Sequence, residues 1–138
     1  MLIKAIANNC PRIKRLDTYL EPKDFFHVKL LLLNCKNLES VKFNCLDYIV
    51  NENDNVGDQL LDILAKFSQN PLVNIELDRG WKYSLDAFVK FFDSYRKRNL
   101  DVFGISDNGK NYITDDHRAI IEKYHREGVI EYWFASRK

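Results

Sequence analysis

The chain has 138 residues, of which 46% are apolar, 30% charged and 13% aromatic, enough apolar surface to fold as one globular unit and to exclude general disorder. Twenty-one Lys and Arg against 20 Asp and Glu leave a formal charge of +1, which speaks against a nucleic-acid binder with its usual basic excess. No apolar run is longer than Leu30 to Leu33, far short of a membrane span of ~18 residues, and no secretory leader pattern opens the sequence.

Along the chain one pattern recurs five times: a short helical stripe, a polar elbow and a strand. In the first unit, residues 2–20, Ile3, Ile6 and Ala7 share a helical face, and Pro11 helps to end that helix because it lacks an amide proton. The second, residues 21–50, opens with Pro22 in a first helical turn, continues with Val28, Leu31, Leu32 and Cys35 at helical spacing, and enters a strand at Leu38. After the polar stretch Asn51 to Asn55, which reads as a loop, the third unit (56–80) has the stripe Leu60, Ile63, Leu64, Phe67 and a strand from Leu72 to Leu77.

The fourth unit, 84–108, starts at Ser84, a helix cap, and carries Leu85, Phe88, Val89 and Phe92, then a strand from Leu100 to Ile105. The fifth, 114–138, is capped by Thr114. Asp115 and Asp116 stand at the positive end of its helix, Ile120, Ile121 and Tyr124 form its stripe, and Gly128 suits the helix exit before a strand from Val129 to Phe134.

The strands share one template, apolar residues at relative positions one, four and six, with Thr18 the only polar member. The triads are Ile13/Leu16/Thr18, Leu38/Val41/Phe43, Leu72/Ile75/Leu77, Leu100/Phe103/Ile105 and Val129/Tyr132/Phe134. Helices of about ten residues between strands predict parallel pairing through right-handed crossovers, and units that cannot bury their own apolar faces must stack on one another. The last two members of each triad point to the helix side of the sheet. The residues around them, Arg15, Asp17, Ser40, Lys42, Asn74, Glu76, Val102, Glu131 and Trp133 (with Gly104 in the same row), are then expected on the outward strand face, a surface suited to extended protein contacts. The expected fold class is α/β, a solenoid with a parallel sheet on one side and helices on the other.

Cys10 to Leu16 and Cys35 to Phe43 resemble the cysteine-containing leucine-rich repeat, in which Cys closes the helix and a C-P-x-L-x-x-L-x-L run enters the strand. More narrowly, Leu31 to Glu39 and Gly80 to Phe88 are similar to the C-terminal repeats of fungal F-box/leucine-rich-repeat proteins. That resemblance implies a ribonuclease-inhibitor-like solenoid and substrate recognition in a ubiquitin ligase. It also implies an F-box that joins the repeats to the Skp1–cullin complex, and no F-box is visible in this sequence, as in a fragment of such a protein. The later units depart from the repeat by lacking the Cys, with Ser68 nearest to its place in the third. A leucine-rich-repeat adaptor unrelated to ubiquitin is the alternative.

Chemistry-bearing motifs are few. Gly104 to Lys110 nearly matches a phosphate-binding loop, the basis of a rival reading as a nucleotide-dependent enzyme, but Asn111 stands where a hydroxyl should hold Mg²⁺, and Asp107-Asn108-Gly109-Lys110 reads better as a turn. Cys10, Cys35 and Cys45 show neither zinc nor disulfide-framework spacing. Cys10 and Cys35 are expected to be buried, Cys45 more exposed, and a reducing compartment, cytoplasm or nucleus, follows. His27, His117 and His125 read as solvated helix histidines, and Arg96-Lys97-Arg98 as a solvated helix end. The expectation is a protein-binding module without catalytic residues, cofactor or metal, whose partner is another protein rather than nucleic acid or membrane. Self-association through uncapped ends is expected too, since repeats normally need polar caps.

Overall fold

A computed structural model describes residues 2–45, 55–69, 71–78, 80–106 and 112–135. In chain order the elements are α1 (Leu2–Asn9), β1 (Arg15–Leu20), a 3-10 turn (Pro22–Asp24), α2 (Phe25–Asn34), β2 (Ser40–Cys45), α3 (Gly57–Phe67), β3 (Asn74–Asp78), α4 (Leu85–Ser94), β4 (Leu100–Ser106), α5 (Asp115–Arg126) and β5 (Ile130–Ala135). The five strands form one parallel sheet in the order β1-β2-β3-β4-β5. Each helix packs on the next in sequence, so five helix–strand units stack side by side, an α/β architecture compatible with a repeat solenoid.

The template holds in four units. Leu16, Val41, Ile75 and Phe103 are direct neighbours across β1 to β4, followed two residues on by Thr18, Phe43, Leu77 and Ile105. Both rows are buried against the helix layer. The fifth unit is displaced by one residue: Trp133, not Tyr132, lies beside Phe103, and Ala135, not Phe134, beside Ile105. Backbone geometry at the exit of α5 decides this. Gly128 adopts φ 84°, a left-handed value that favours glycine. Val129 then donates its amide to the Tyr124 carbonyl at 2.9 Å and accepts from Leu100 N–H at 2.7 Å, which places Ile130 beside Leu100.

Helix stripes turn slightly from their expected faces. Leu61 is buried in α3, while Ile63 and Phe67 are only half-buried; in α4 Phe91 is buried, and Leu85 is exposed. Helix entries are built by side chains. Ser84 Oγ accepts from the Ala87 amide at 3.1 Å, while the Asp58 carboxylate of α3 accepts both the Ser84 N–H (2.8 Å) and its hydroxyl (2.7 Å), so one unit's cap is held by the preceding helix. Pro22 sits in the 3-10 turn rather than in the helix it precedes.

His117 is a correction to the solvated reading. It is buried at the third helical position of α5, its Nε2–H donates to the Tyr83 carbonyl at 2.7 Å, and its Nδ1 accepts from the Thr114 amide at 3.1 Å. This places a histidine where a Glu or Gln would complete a capping box. His125, half-buried, donates from Nδ1 to the Ile130 carbonyl at 2.9 Å, and His27 is half-buried as well.

The cysteines also differ from expectation. Cys35 is buried, and its thiol donates to the Cys10 carbonyl at 3.3 Å; burial, and then the nearby Cys10, push its pKa up. Cys10 itself is exposed just past the end of α1, whereas Cys45 is buried at the end of β2 with its amide on Asp78 Oδ2 (2.8 Å). Arg98 is likewise no solvated charge: its guanidinium lies 4.1 Å from the Tyr95 ring and donates to Ser68 O, Gln69 O and Ser68 Oγ, tying α4's exit to the previous unit.

Candidate functional site: the outward strand face

Because side chains alternate along a strand, the buried rows leave outward rows on the other face of the sheet, two of which cross all five strands while Tyr19 and Asn44 begin a further one. The first is Arg15, Ser40, Asn74, Val102 and Tyr132; the second is Asp17, Lys42, Glu76, Gly104 and Phe134. A groove of about 570 Å³ opens here, and its lining includes Arg15, Asp17, Ser40, Lys42, Asn74, Glu76 and Val102. Seven of the nine residues expected to form the surface therefore converge on a single concavity.

The other two part company with it. Trp133 faces the helix side, where its indole N–H donates to Glu122 Oε2 of α5 at 3.0 Å and its ring packs against the end of the core. It covers the last unit and is not an outward anchor, a direct consequence of the one-residue displacement of β5. Glu131 is exposed on β5, outside the groove lining.

Missed in the sequence were Tyr132 and Phe134, which occupy the outward rows in place of Trp133. Tyr132 is 58% exposed, and its ring centroid lies 6.3 Å from that of Phe134. Phe134 in turn lies over Gly104: a Cβ added there would collide with the Phe134 ring. The signal that could have revealed this is Gly104 itself, a strand glycine beside an aromatic run, since a missing side chain often marks the seat of a neighbouring ring.

The charged side chains of the second row each have a partner, although only two of them are paired with an opposite charge. Lys42 pairs with Glu76 at 3.3 Å, and Asp17 Oδ1 accepts from the Asn44 amide at 2.9 Å. In the first row Arg15 is exposed and makes no ion pair or hydrogen bond through its side chain among the described residues. The same holds for Arg12 and Lys14, which precede it on the elbow.

A second, smaller concavity of about 270 Å³ lies between α3 and α4 on the helix side. Its carboxylates are all engaged: Asp58 on Ser84, Asp62 with Lys66 at 3.1 Å and Asp86 with Lys90 at 3.8 Å. Among the described residues no group of three or more His, Cys, Asp or Glu is placed to hold a metal ion. Of the Gly104–Lys110 motif, residues 107–110 lie outside the described residues, and Gly104 is a mid-strand residue under Phe134. No helix among the described residues is long and apolar enough to cross a membrane. Comparison with family models, curated proteins and solved structures finds no match to this chain.

Proposed function

We propose that this chain is a protein-binding module of leucine-rich-repeat type, a right-handed solenoid whose outward strand face receives an extended segment of a partner protein and performs no chemistry of its own. The observation that carries the reading is the groove across β1 to β4, built from equivalent positions of successive units. Concave faces of stacked repeats present such equivalent positions at regular spacing, which suits an extended chain rather than a compact ligand. Three cysteines outside any disulfide support a reducing compartment, cytoplasm or nucleus.

The resemblance to F-box repeats supplies a narrower form of the same reading, substrate recognition in a ubiquitin ligase. A longer form of the chain carrying an F-box then co-purifies with Skp1, and failure of that longer form to do so removes the ligase link while leaving the docking face in place.

The docking face is tested by selecting a displayed library of random twelve-residue peptides on the full chain. Ser40→Trp fills the centre of the groove, and Lys90→Trp adds equal bulk to the exposed helix side. Selected peptides are expected to lose binding to the first variant and to keep it for the second, with both variants melting like the parent. Equal binding to both variants, or no enrichment at all, overturns the reading.

A further inference from the structure

Building on the docking face proposed above, we infer that the preferred partner is an extended peptide segment with an acidic residue at one end and a large apolar residue about six positions away. The first row supplies the argument. Its order is Arg15, Ser40, Asn74, Val102, Tyr132, a cation at one end and an exposed aromatic ring at the other, joined by short neutral side chains.

Arg and Tyr, with Trp, are the residue types most enriched among interface anchors, while Ser40 and Asn74 between them offer donors and acceptors that the backbone of an extended segment can meet. Neighbouring strands are about 4.8 Å apart, so four spacings separate the two ends by about 19 Å, the span of about six residues of extended chain.

Charge selects the sign of the partner. Lys42 and Glu76 neutralise each other, while Asp17 accepts from the neutral Asn44 amide and keeps its charge, so the second row carries one net negative charge against the three cations Arg12, Lys14 and Arg15. Arg15 keeps its full charge, reinforced by Arg12 and Lys14 on the adjoining elbow. An approaching carboxylate thus meets a bidentate donor that no ion pair among the described residues already occupies. At the far end Val102, Tyr132 and the ring of Phe134 form an apolar shelf, which exists because Gly104 leaves room for that ring. A peptide carrying charge at both ends would leave that shelf uncovered, and one apolar throughout would leave Arg15 desolvated without a counter-charge.

The test reads the composition of the peptides selected on the full chain. Wild type is expected to enrich Asp or Glu at one position and Leu, Met or an aromatic about six positions away. On Arg15→Glu the acidic position changes to Lys or Arg while the apolar one persists; on Tyr132→Ala the apolar preference fades while the acid persists. A selected peptide measured by fluorescence anisotropy should bind Arg15→Glu roughly tenfold more weakly or worse, and should weaken on the parent as salt is raised. A consensus lacking the acid–apolar pair, or one that neither variant alters, sinks this inference. If Ser40→Trp still abolishes binding in that case, the docking face itself survives, whereas loss of that groove dependence would sink the docking face.

Discussion

Around β1 and β2 the core is largely aliphatic: Leu16, Val28, Leu31, Leu32, Leu38 and Val41 are buried, with Phe25 and Phe43 as the rings. Around β4 it is a connected aromatic cluster. Phe103 is met by Phe92 at 4.9 Å, Phe91 at 5.9 Å and Phe88 at 6.1 Å, and Phe92 reaches Tyr124 at 5.3 Å. Both regions keep the same parallel register. The lesson is that the repeat constrains which positions are apolar and leaves their volume to local compensation, in line with the tolerance of cores for matched exchanges of volume. The two outward rows that cross the whole sheet follow the same division, polar and charged toward β1 and aromatic toward β5, although β1 also carries the exposed Tyr19 beyond them.

The sharpest way to break this comparison is to truncate one buried core side chain in each region. Phe92→Ala should cost about 3–5 kcal/mol, because four rings converge at that point and the cavity cannot collapse. Val41→Ala, a smaller deletion, should cost less, on the order of 2 kcal/mol for the two methyl groups it removes. Urea unfolding measures both. Equal losses would mean that the surrounding rings relax into the vacated space, so that the aromatic cluster contributes less than the area it buries.

A second contrast is with pH. Burial pushes the Tyr83 hydroxyl well above its ordinary value, aided by negative charge at Asp78, Cys45 and Asp58, and burial also raises Tyr95. Both belong to the second half of the chain, whereas Tyr19 on β1 is 61% exposed. An unfolded tyrosine loses its proton from about pH 10, while the folded one keeps it, so the unfolded state binds fewer protons above that pH. Stability from this source is therefore complete below about pH 10 and falls as pH rises further, by about 1.4 kcal/mol per pH unit for each such group. Tyr83→Phe removes the 2.6 Å bond from its hydroxyl to the Asp78 carbonyl and should lower stability at neutral pH, yet flatten the alkaline limb by about one proton. An unchanged alkaline slope in denaturant titrations would contradict the assignment.

The smallest effect concerns the seat beneath Phe134. Gly104→Ala forces that ring away and should cost about 1 kcal/mol, at the low end for overpacking because the displaced ring lies at the sheet edge. Phe134→Ala in the same chain should cancel most of that penalty, a coupling that a double-mutant cycle detects. Additive losses would show that Gly104 is needed for its backbone and not for the ring above it.

How much of this was readable beforehand differs between units. Stripes such as Val28, Leu31 and Leu32 announced their helices, and in four units the spacing of the strand triad was enough to order the sheet and to assemble seven groove residues. The fifth strand was not readable in the same way. From Val129 to Phe134 only Glu131 breaks a run of apolar and aromatic residues, so two registers satisfy the template equally. His117 was illegible for a related reason: a polar ring on a helix says nothing of the Tyr83 carbonyl that awaits it from another unit.

Taken alone, the sequence determined the alternation of helix and strand, because apolar periodicity is a local property that each segment carries with it. Only the tertiary structure decided which aromatic turns outward on β5, which cysteines are covered and which carboxylates are already engaged. Those outcomes depend on contacts between residues far apart in the chain, such as Trp133 with Glu122 and Phe134 over Gly104, and no spacing rule encodes them.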